Sequence, residues 1–113
     1  MTSLRLTDDA RRDLADIRAY TLGMHGRTQA DRYMRVLREG LKTLRQHPAI
    51  GYPVEDIHPG YRCYQISFHR VFYKIFDDAI AVVAILHQSQ LPESQFEERG
   101  FTDPNLPPEE DQT

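Results

Sequence analysis

The 113-residue sequence predicts an α+β fold, in which an antiparallel two-helix hairpin packs on one face of a small antiparallel sheet. Apolar residues recur at helical spacing between residues 10 and 44, which indicates two amphipathic helices. From residue 61 to residue 87 the pattern changes to the alternation that is typical of strands. A loop rich in proline and glycine separates the two patterns. A chain of this length has room for one domain.

The first strand and the first helix are predicted from the N-terminal residues. Leu4 and Leu6 alternate with polar residues, so a short strand is expected there, and it can join the edge of the sheet. Thr7 is a suitable N-cap, because its hydroxyl can accept a hydrogen bond from the first helical turn. The helix should end near Gly23 or Gly26. Its buried face is expected to hold Ala10, Leu14, Ile17 and Thr21.

The second helix is expected to begin near Thr28, with Asp31 completing a weak capping box, and to end before Pro48. A short connection predicts that the two helices lie antiparallel. The apolar face of the second helix should carry Ala30, Tyr33, Leu37, Leu41 and Leu44. The opposite face is basic and carries Arg32, Arg35, Arg38, Lys42 and Arg45. This basic face is either a solvated surface or a contact for nucleic acid or an acidic partner.

Three strands in a meander follow the loop. Two short connections, the second at Asp77 and Asp78, require antiparallel neighbours. Residues 79–87 are apolar on both faces, as expected of a strand inside the sheet. The helices are expected to cover one face of this sheet and to leave the other open.

The charge of the chain is divided unevenly. Residues 1–91 contain thirteen bases and ten acids, a net charge of +3, whereas residues 92–113 contain seven acids and one base, a net charge of −6. We therefore expect one domain at residues 1–91, followed by an acidic, proline-rich tail at residues 92–113 that has no core element. Phe96, Phe101 and Leu106 are the tail residues able to dock it onto the body.

The composition also bounds the chemistry. Cys63 is the only cysteine, so an intramolecular disulfide and a cysteine-rich zinc site are excluded, and we expect no metal and no cofactor. The longest apolar stretch is too short to span a membrane, and the N-terminus lacks the apolar run of a signal peptide. A reducing cytoplasm is the expected location, without membrane partners.

The order of these elements resembles the ParE/RelE superfamily of toxins from bacterial type II toxin–antitoxin systems. The matching segments are ARRDLADIRAY at 10–20, ADRYMRVLREGLKTL at 30–44, HPAIGYP at 47–53, GYR at 60–62, HRVFYKI at 69–75 and IAVVAILHQSQLPE at 80–93. The helix hairpin and the ILHQSQ ending look more like ParE than RelE. The resemblance implies a toxin that inhibits DNA gyrase and that forms a hetero-oligomer with a ParD-like antitoxin. The alternative that it implies is a RelE-like mRNA endonuclease acting on the ribosome, and a decayed member without toxicity is a third interpretation.

Four residues have side chains of the types that RNA cleavage needs: Arg62, His69, Tyr73 and His87. Attack by a 2′-hydroxyl requires a base, an acid for the leaving oxygen and a cation for the developing charge. These residues can equally tie strand ends or pack in the sheet, and the few basic residues of the meander favour a toxin that binds its target without catalysis. The surface expected to contact the antitoxin or target comprises Arg62, Tyr64, His69, Tyr73 and His87 of the meander and Arg32, Arg35 and Arg38 of the second helix.

Overall fold

The computed structural model describes residues 2–99 of the chain. The predicted hairpin is formed by helix α1 (Asp8–His25) and helix α2 (Arg27–Gln46), which are joined by Gly26 alone. Gly26 has a φ of 86°, a left-handed conformation that suits glycine and reverses the chain in one residue. At the start of α1, the Thr7 hydroxyl accepts a hydrogen bond from the Ala10 N–H at 3.2 Å, as the sequence predicted.

The start of α2 differs from the prediction. The helix begins at Arg27 and makes no side-chain cap, so the expected capping box between Thr28 and Asp31 is absent from the structure. Asp31 instead receives the Arg18 guanidinium at 3.3 Å, across the hairpin. The buried residues of α2 are Ala30, Met34, Leu37 and Leu44, while Tyr33 and Leu41 lie partly buried beside them.

The described strands form one five-stranded sheet in the order β1-β5-β4-β3-β2. They are β1 (Ser3–Leu6), β2 (Tyr52–Pro53), β3 (Arg62–Ile66), β4 (His69–Phe76) and β5 (Ala79–His87). The meander β3–β4–β5 is antiparallel, as predicted. The α+β class and the packing of the hairpin on this sheet are confirmed.

Two features of the sheet were not predicted. Strand β1 pairs with β5 in parallel, with Ser3 opposite Ala79, so the sheet is mixed and not purely antiparallel. Alternation in a sequence is the same for either direction, and here residues 7–78, which hold both helices and three strands, form the long connection that a parallel pair requires. The second feature is β2, which pairs with β3 inside the predicted loop. Pro53 lacks an N–H and is tolerated there because β2 is an edge strand.

The sheet separates two apolar clusters. On the first side, the helices pack on Val71, Tyr73, Ile80, Val82 and Ile85. On the second side, a cluster around Phe72 and Val83 is covered by the loop before β3 and by a third helix, α3 (Pro92–Glu98). The expectation that this second face is open was therefore wrong.

Helix α3 lies within the segment that the sequence analysis assigned to the tail. Phe96 is 5% exposed and contacts Phe72 edge-on, with ring centroids 5.5 Å apart. The acidic composition of this segment therefore led the sequence analysis to overlook a short helix that packs on the core. The expected docking through Phe96 is confirmed, whereas Phe101 and Leu106 lie outside the described residues. The domain boundary at residue 91 stays a prediction. Within residues 2–99, no helix has the length and apolarity needed to cross a bilayer.

An ion pair fastens the end of α3 to α1. The Arg99 guanidinium donates to both carboxylate oxygens of Asp13, at 2.7 and 3.1 Å. The same carboxylate accepts the Ile85 N–H at 2.8 Å. Ile85 lies beyond Val82, the last residue of β5 that pairs with β1. Asp13 therefore holds helix α1, strand β5 and the residue after α3 together.

Candidate functional site

A cavity of about 650 Å³ opens between the helix hairpin and the end of the sheet where β4 begins and β5 ends. We call this cavity the hairpin groove. Its lining comes from both helices, the β3–β4 turn and the end of β5, and comprises Asp16, Ile17, Tyr20, Thr21, His25, Gln29, Tyr33, Phe68, His69, His87 and Ser89. Three aromatic rings and three imidazoles dominate the surface, and Asp16 is its one carboxylate.

Three residues in the wall of the groove, Tyr33, His69 and His87, contact one another in sequence. The Tyr33 hydroxyl and the His69 Nδ1 are 2.6 Å apart, linking α2 to β4. His69 and His87 are register partners on β4 and β5, and their rings meet edge-on with centroids 5.3 Å apart. Burial, with a smaller contribution from the charge of His87, lowers the pKa of His69 to about 4. His69 is therefore neutral at pH 7, so it adds no positive charge to the wall of the groove.

The rim of the groove is aromatic and exposed. Phe68 is 56% exposed and lies in the β3–β4 turn, which Ser67 closes with a positive φ of 55°. Its ring stacks on Tyr33 with centroids 6.4 Å apart, and its N–H donates to the Tyr33 hydroxyl. Tyr20 of α1 is 66% exposed and also lines the cavity. Exposed aromatic rings beside a cavity favour a partner surface over a structural role.

Arg62 and Tyr73 lie at the opposite end of β3 and β4 and belong to another contact. They are register partners, four positions along β3 from the pair that Ile66 forms with His69. At about 3.3 Å per residue, roughly 13 Å of strand separates the two positions. The four residues with suitable chemistry therefore do not meet in one active site.

The role of Arg62 and Tyr73 is to fasten the loop after α2. The Tyr73 hydroxyl donates to the Pro48 carbonyl at 2.6 Å and accepts the Gly51 N–H at 3.0 Å. Arg62 donates to the Gly51 carbonyl at 2.7 Å and to the Ala49 carbonyl at 3.2 Å. Tyr73 is fully buried, so its prediction as a surface contact for a partner was wrong.

The remaining predicted residues divide between core and surface. Tyr64 is half-buried against the first cluster and does not line the groove. Arg32, Arg35 and Arg38 are exposed on the outer face of α2, away from the groove lining. Of the predicted residues, only His69 and His87 are brought together in the groove.

The groove lacks the cation that phosphoryl chemistry needs. No arginine or lysine belongs to its lining, and the nearby Arg70 donates to the carbonyls of Gln88 and Gln90 instead. Among the residues described, no group of three or more His, Cys, Asp or Glu side chains is arranged to hold a metal ion. The arrangement is suited to packing apolar and aromatic side chains and to hydrogen bonding, and it provides no assembled acid–base–cation set.

Sequence reasoning missed the groove residues that come from the helices and the turn. Tyr33 was placed correctly on the inner face of α2, but its contact with His69 joins residues 36 positions apart and leaves no local signal. Tyr20 and Phe68 carry only a weak signal, because single exposed aromatic residues are normal on a protein surface and point to a partner only when the fold brings them into one patch.

Comparison with known proteins identifies the family of this chain. The ParE toxin family of type II toxin–antitoxin systems, parDE, matches residues 4–92. Toxin ParE1 of Caulobacter vibrioides is 35% identical over 89 residues, which cover 79% of this chain and 92% of the relative. Toxin ParE1 of Mycobacterium tuberculosis is 33% identical over 84 residues, covering 74% of this chain and 86% of the relative.

Solved structures agree on the fold. A chain of the chromosomal ParDE system from P. aeruginosa superposes with a TM-score of 0.69 at 22% identity, covering 77% of this chain and 96% of that chain. A chain of the RelBE2 toxin–antitoxin complex from Mycobacterium tuberculosis gives a TM-score of 0.57 at 21% identity, covering 76% and 96%. The family match over most of the sequence and the identity to ParE1 relatives show that this chain belongs to the ParE toxin family of type II toxin–antitoxin systems.

Proposed function

We propose that this chain is a toxin that inhibits DNA gyrase by binding, and that a ParD-like antitoxin neutralises it by inserting a segment into the hairpin groove. Both activities belong to the cytoplasm, where the chain forms a hetero-oligomer with the antitoxin. The observation that carries the proposal is the groove itself: a cavity of about 650 Å³ with aromatic walls, in a member of the ParE family.

The lining of the groove defines the kind of segment that would fit. Tyr20, Tyr33 and Phe68 offer aromatic surface to an apolar side chain, and such rings are frequent anchors of binding energy. Asp16 offers a carboxylate to a basic residue of the same segment. An amphipathic antitoxin helix with apolar residues on one side and lysine or arginine at its edge matches this chemistry.

Binding without catalysis is supported by the separation of the candidate catalytic residues. Arg62 and Tyr73 are engaged with the loop after α2, and the His69–His87 pair has no arginine or lysine in the lining around it. A toxin that acts on gyrase through its surface requires no such set.

A supercoiling assay tests the target. Purified chain added to DNA gyrase and relaxed plasmid should block the formation of supercoiled product, and the antitoxin that is encoded beside it should restore the product. Supercoiling that continues unchanged at a large molar excess of the chain would refute gyrase as the target.

Paired variants test the antitoxin site. Tyr20→Ala combined with Phe68→Ala should weaken antitoxin binding by at least 10-fold, since loss of a buried aromatic anchor typically costs about 2 kcal/mol or more. Tyr52→Ala is the matched control, because Tyr52 is 53% exposed and lies outside the groove lining. Isothermal titration calorimetry measures both affinities. Equal affinities for the two variants would place the antitoxin elsewhere.

The alternative function is a RelE-like, ribosome-dependent mRNA endonuclease, and the meeting of His69 with His87 beside Tyr33 favours it. His87 is exposed at the mouth of the groove and is the better placed of the two to reach a substrate, since a pKa of about 4 makes the buried His69 a weak base at pH 7. Induction of the chain would then cleave transcripts on translating ribosomes, and His87→Ala would abolish the cleavage. Intact transcripts after induction would exclude this alternative.

A further inference from the structure

The outer face of α2 carries a row of cations along most of the helix. Its members are Arg32, Arg35, Arg38, Lys42 and Arg45, and all five are exposed. Because the rise of an α-helix is 1.5 Å per residue, the row extends over about 20 Å. We call it the α2 basic row. It is separate from the hairpin groove, whose lining contains none of the five.

The basic row is not neutralised by the described part of the protein. The arginines of α1 each have a carboxylate: Arg11 contacts Asp8 at 3.4 Å, Arg12 contacts Asp9 at 3.0 Å and Arg18 contacts Asp31 at 3.3 Å. Within residues 2–99, by contrast, none of the five cations of the row takes part in an ion pair or a side-chain hydrogen bond. Of the six acids of the hairpin, four lie on α1 and Asp31 lies in the second turn of α2. Glu39 is the one acid among the cations of the row, and within residues 2–99 it forms no ion pair with them, so the row keeps a net charge of +4.

We propose that the α2 basic row binds the phosphate backbone of duplex DNA. This binding is independent of the hairpin groove and of the proposed inhibition of gyrase. Four guanidinium groups and one ammonium along one side of a helix match a rigid, evenly charged polyanion, because arginine pairs with phosphate through two parallel hydrogen bonds.

The neutral side chains around the row favour duplex DNA over RNA. Single-stranded nucleic acid is bound through stacking on aromatic rings, but the only aromatic residue of α2 is Tyr33, which faces the groove. Duplex RNA is recognised through its shape and through contacts to its 2′-hydroxyls as well as its phosphates. The other exposed residues between Arg35 and the end of α2 are Val36, Glu39 and Gln46, and of these only Gln46 is a neutral side chain that can bond a 2′-hydroxyl. Contacts to phosphate alone predict binding without sequence preference.

The charge count sets the expected salt dependence. Each phosphate contact on duplex DNA contributes about −0.9 to the slope of log K against log salt, so five contacts predict a slope of about −4.5. Raising salt from 50 to 200 mM should then weaken binding about 500-fold, by the same relation.

Fluorescence anisotropy of a labelled 20-base-pair duplex, titrated with the full chain at several salt concentrations, tests the proposal. The test variant combines Arg35→Gln, Arg38→Gln and Lys42→Gln, and its slope should fall to about −1.8, which is about a 12-fold change over the same salt range. The control combines Arg11→Gln, Arg12→Gln and Arg18→Gln, which removes the same total charge from ion-paired positions and should leave the slope near −4.5. Circular dichroism establishes that both variants are folded.

Three outcomes would overturn the proposal. The first is no binding of the full chain to the duplex at 50 mM salt, and the second is equal slopes for the two variants. The third is binding that appears only after residues 100–113 are removed, which would indicate that the four acids of this segment occupy the row in place of DNA. Gyrase inhibition and antitoxin binding in the groove do not depend on the row, so their success or failure is measured separately.

Discussion

Single buried polar side chains hold both ends of the sheet in this toxin. Tyr73 fixes the loop after α2 through two hydrogen bonds, and His69 joins the helix hairpin to β4 through Tyr33. Tyrosine and histidine are the residue types expected in an active site, yet here each has its polar atom directed at a partner within the fold. Because these polar atoms are buried and bonded, substitutions that remove them should measurably lower the stability of the fold.

Tyr73→Phe should lower the free energy of unfolding by about 1–3 kcal/mol, because the buried Gly51 N–H and the Pro48 carbonyl each lose their partner. Urea unfolding measures the change. Tyr20→Phe is the control, since Tyr20 is 66% exposed, and its effect should stay within about 0.5 kcal/mol. An unchanged midpoint for Tyr73→Phe would show that the hydroxyl does not hold the loop.

His69 should make the fold less stable in acid. Its pKa in the folded chain is about 4, below its ordinary value of 6.5, so the unfolded chain binds more protons between those values. Stability therefore rises with pH across this window, and the contribution of a neutral His69 is complete above about pH 6.5 and lost as pH falls toward 4. Urea midpoints at pH 7.5 and pH 5 should differ less in His69→Gln than in the parent chain. Parallel losses in the two proteins would contradict this assignment.

Helix α2 and strand β3 approach each other closely where Gly40 meets Ile66. A Cβ atom at residue 40 would lie 2.7 Å from the Cγ1 and Cγ2 atoms of Ile66 and would also strike its Cδ1. Gly23 of α1 is the opposite case, because a Cβ atom there would have nothing within 4 Å. Packing against Ile66 therefore requires a glycine at residue 40, whereas neither packing nor backbone conformation requires one at residue 23.

Alanine at the two positions should change stability in opposite directions. Gly23→Ala should stabilise the fold by about 0.5–1 kcal/mol through helix propensity, whereas Gly40→Ala should destabilise it by about 1–3 kcal/mol through overpacking. Thermal unfolding of both variants gives the signs. Ile66→Val introduced beside Gly40→Ala should recover part of the loss, and a stabilising Gly40→Ala would refute the close contact.

The elements that the sequence predicted well are those with local signals. Thr7 caps α1 because the cap and the helix are adjacent, and the apolar spacing of α2 identified its buried face. Strand direction has no such signal, so the parallel pairing of Leu4 with Ile80 was not predicted. Helix α3 was missed because three of its seven residues are acidic, although Phe96 was recognised as an anchor. The groove depends on the contact of Tyr33 with His69, which only the assembled fold creates.

At the scale of the whole molecule, the sheet is covered on both faces, and the cover over the second cluster is small. Helix α3 has seven residues and is held by Phe96, by the buried Pro92 and by the pair between Arg99 and Asp13. Beneath it lie Tyr61, Phe72 and Val83, all buried in its presence. We therefore expect the stability of the folded unit to depend on residues beyond the predicted boundary at 91.

Two truncations test this dependence. A chain ending at residue 91 should lose about 2–3 kcal/mol of stability from the burial of Phe96 alone, and should bind a hydrophobic dye through the uncovered second cluster. A chain ending at residue 99 is the matched control and should unfold like the full chain. Equal stability and equal dye binding for the two would place the end of the domain at residue 91.

The parallel pairing of β1 with β5 also constrains the order in which the protein can be completed during translation. Ser3 of β1 pairs with Ala79 of β5, so β1 cannot join the sheet until β5 has been synthesised. The α1–α2 hairpin has local contacts and can form early, but β5 must enter between β1 and β4 before the sheet exists. A nascent chain that has not reached His87 lacks both the hairpin groove and a continuous core. Toxicity is therefore expected only after residue 87 has been synthesised and β5 has joined the sheet.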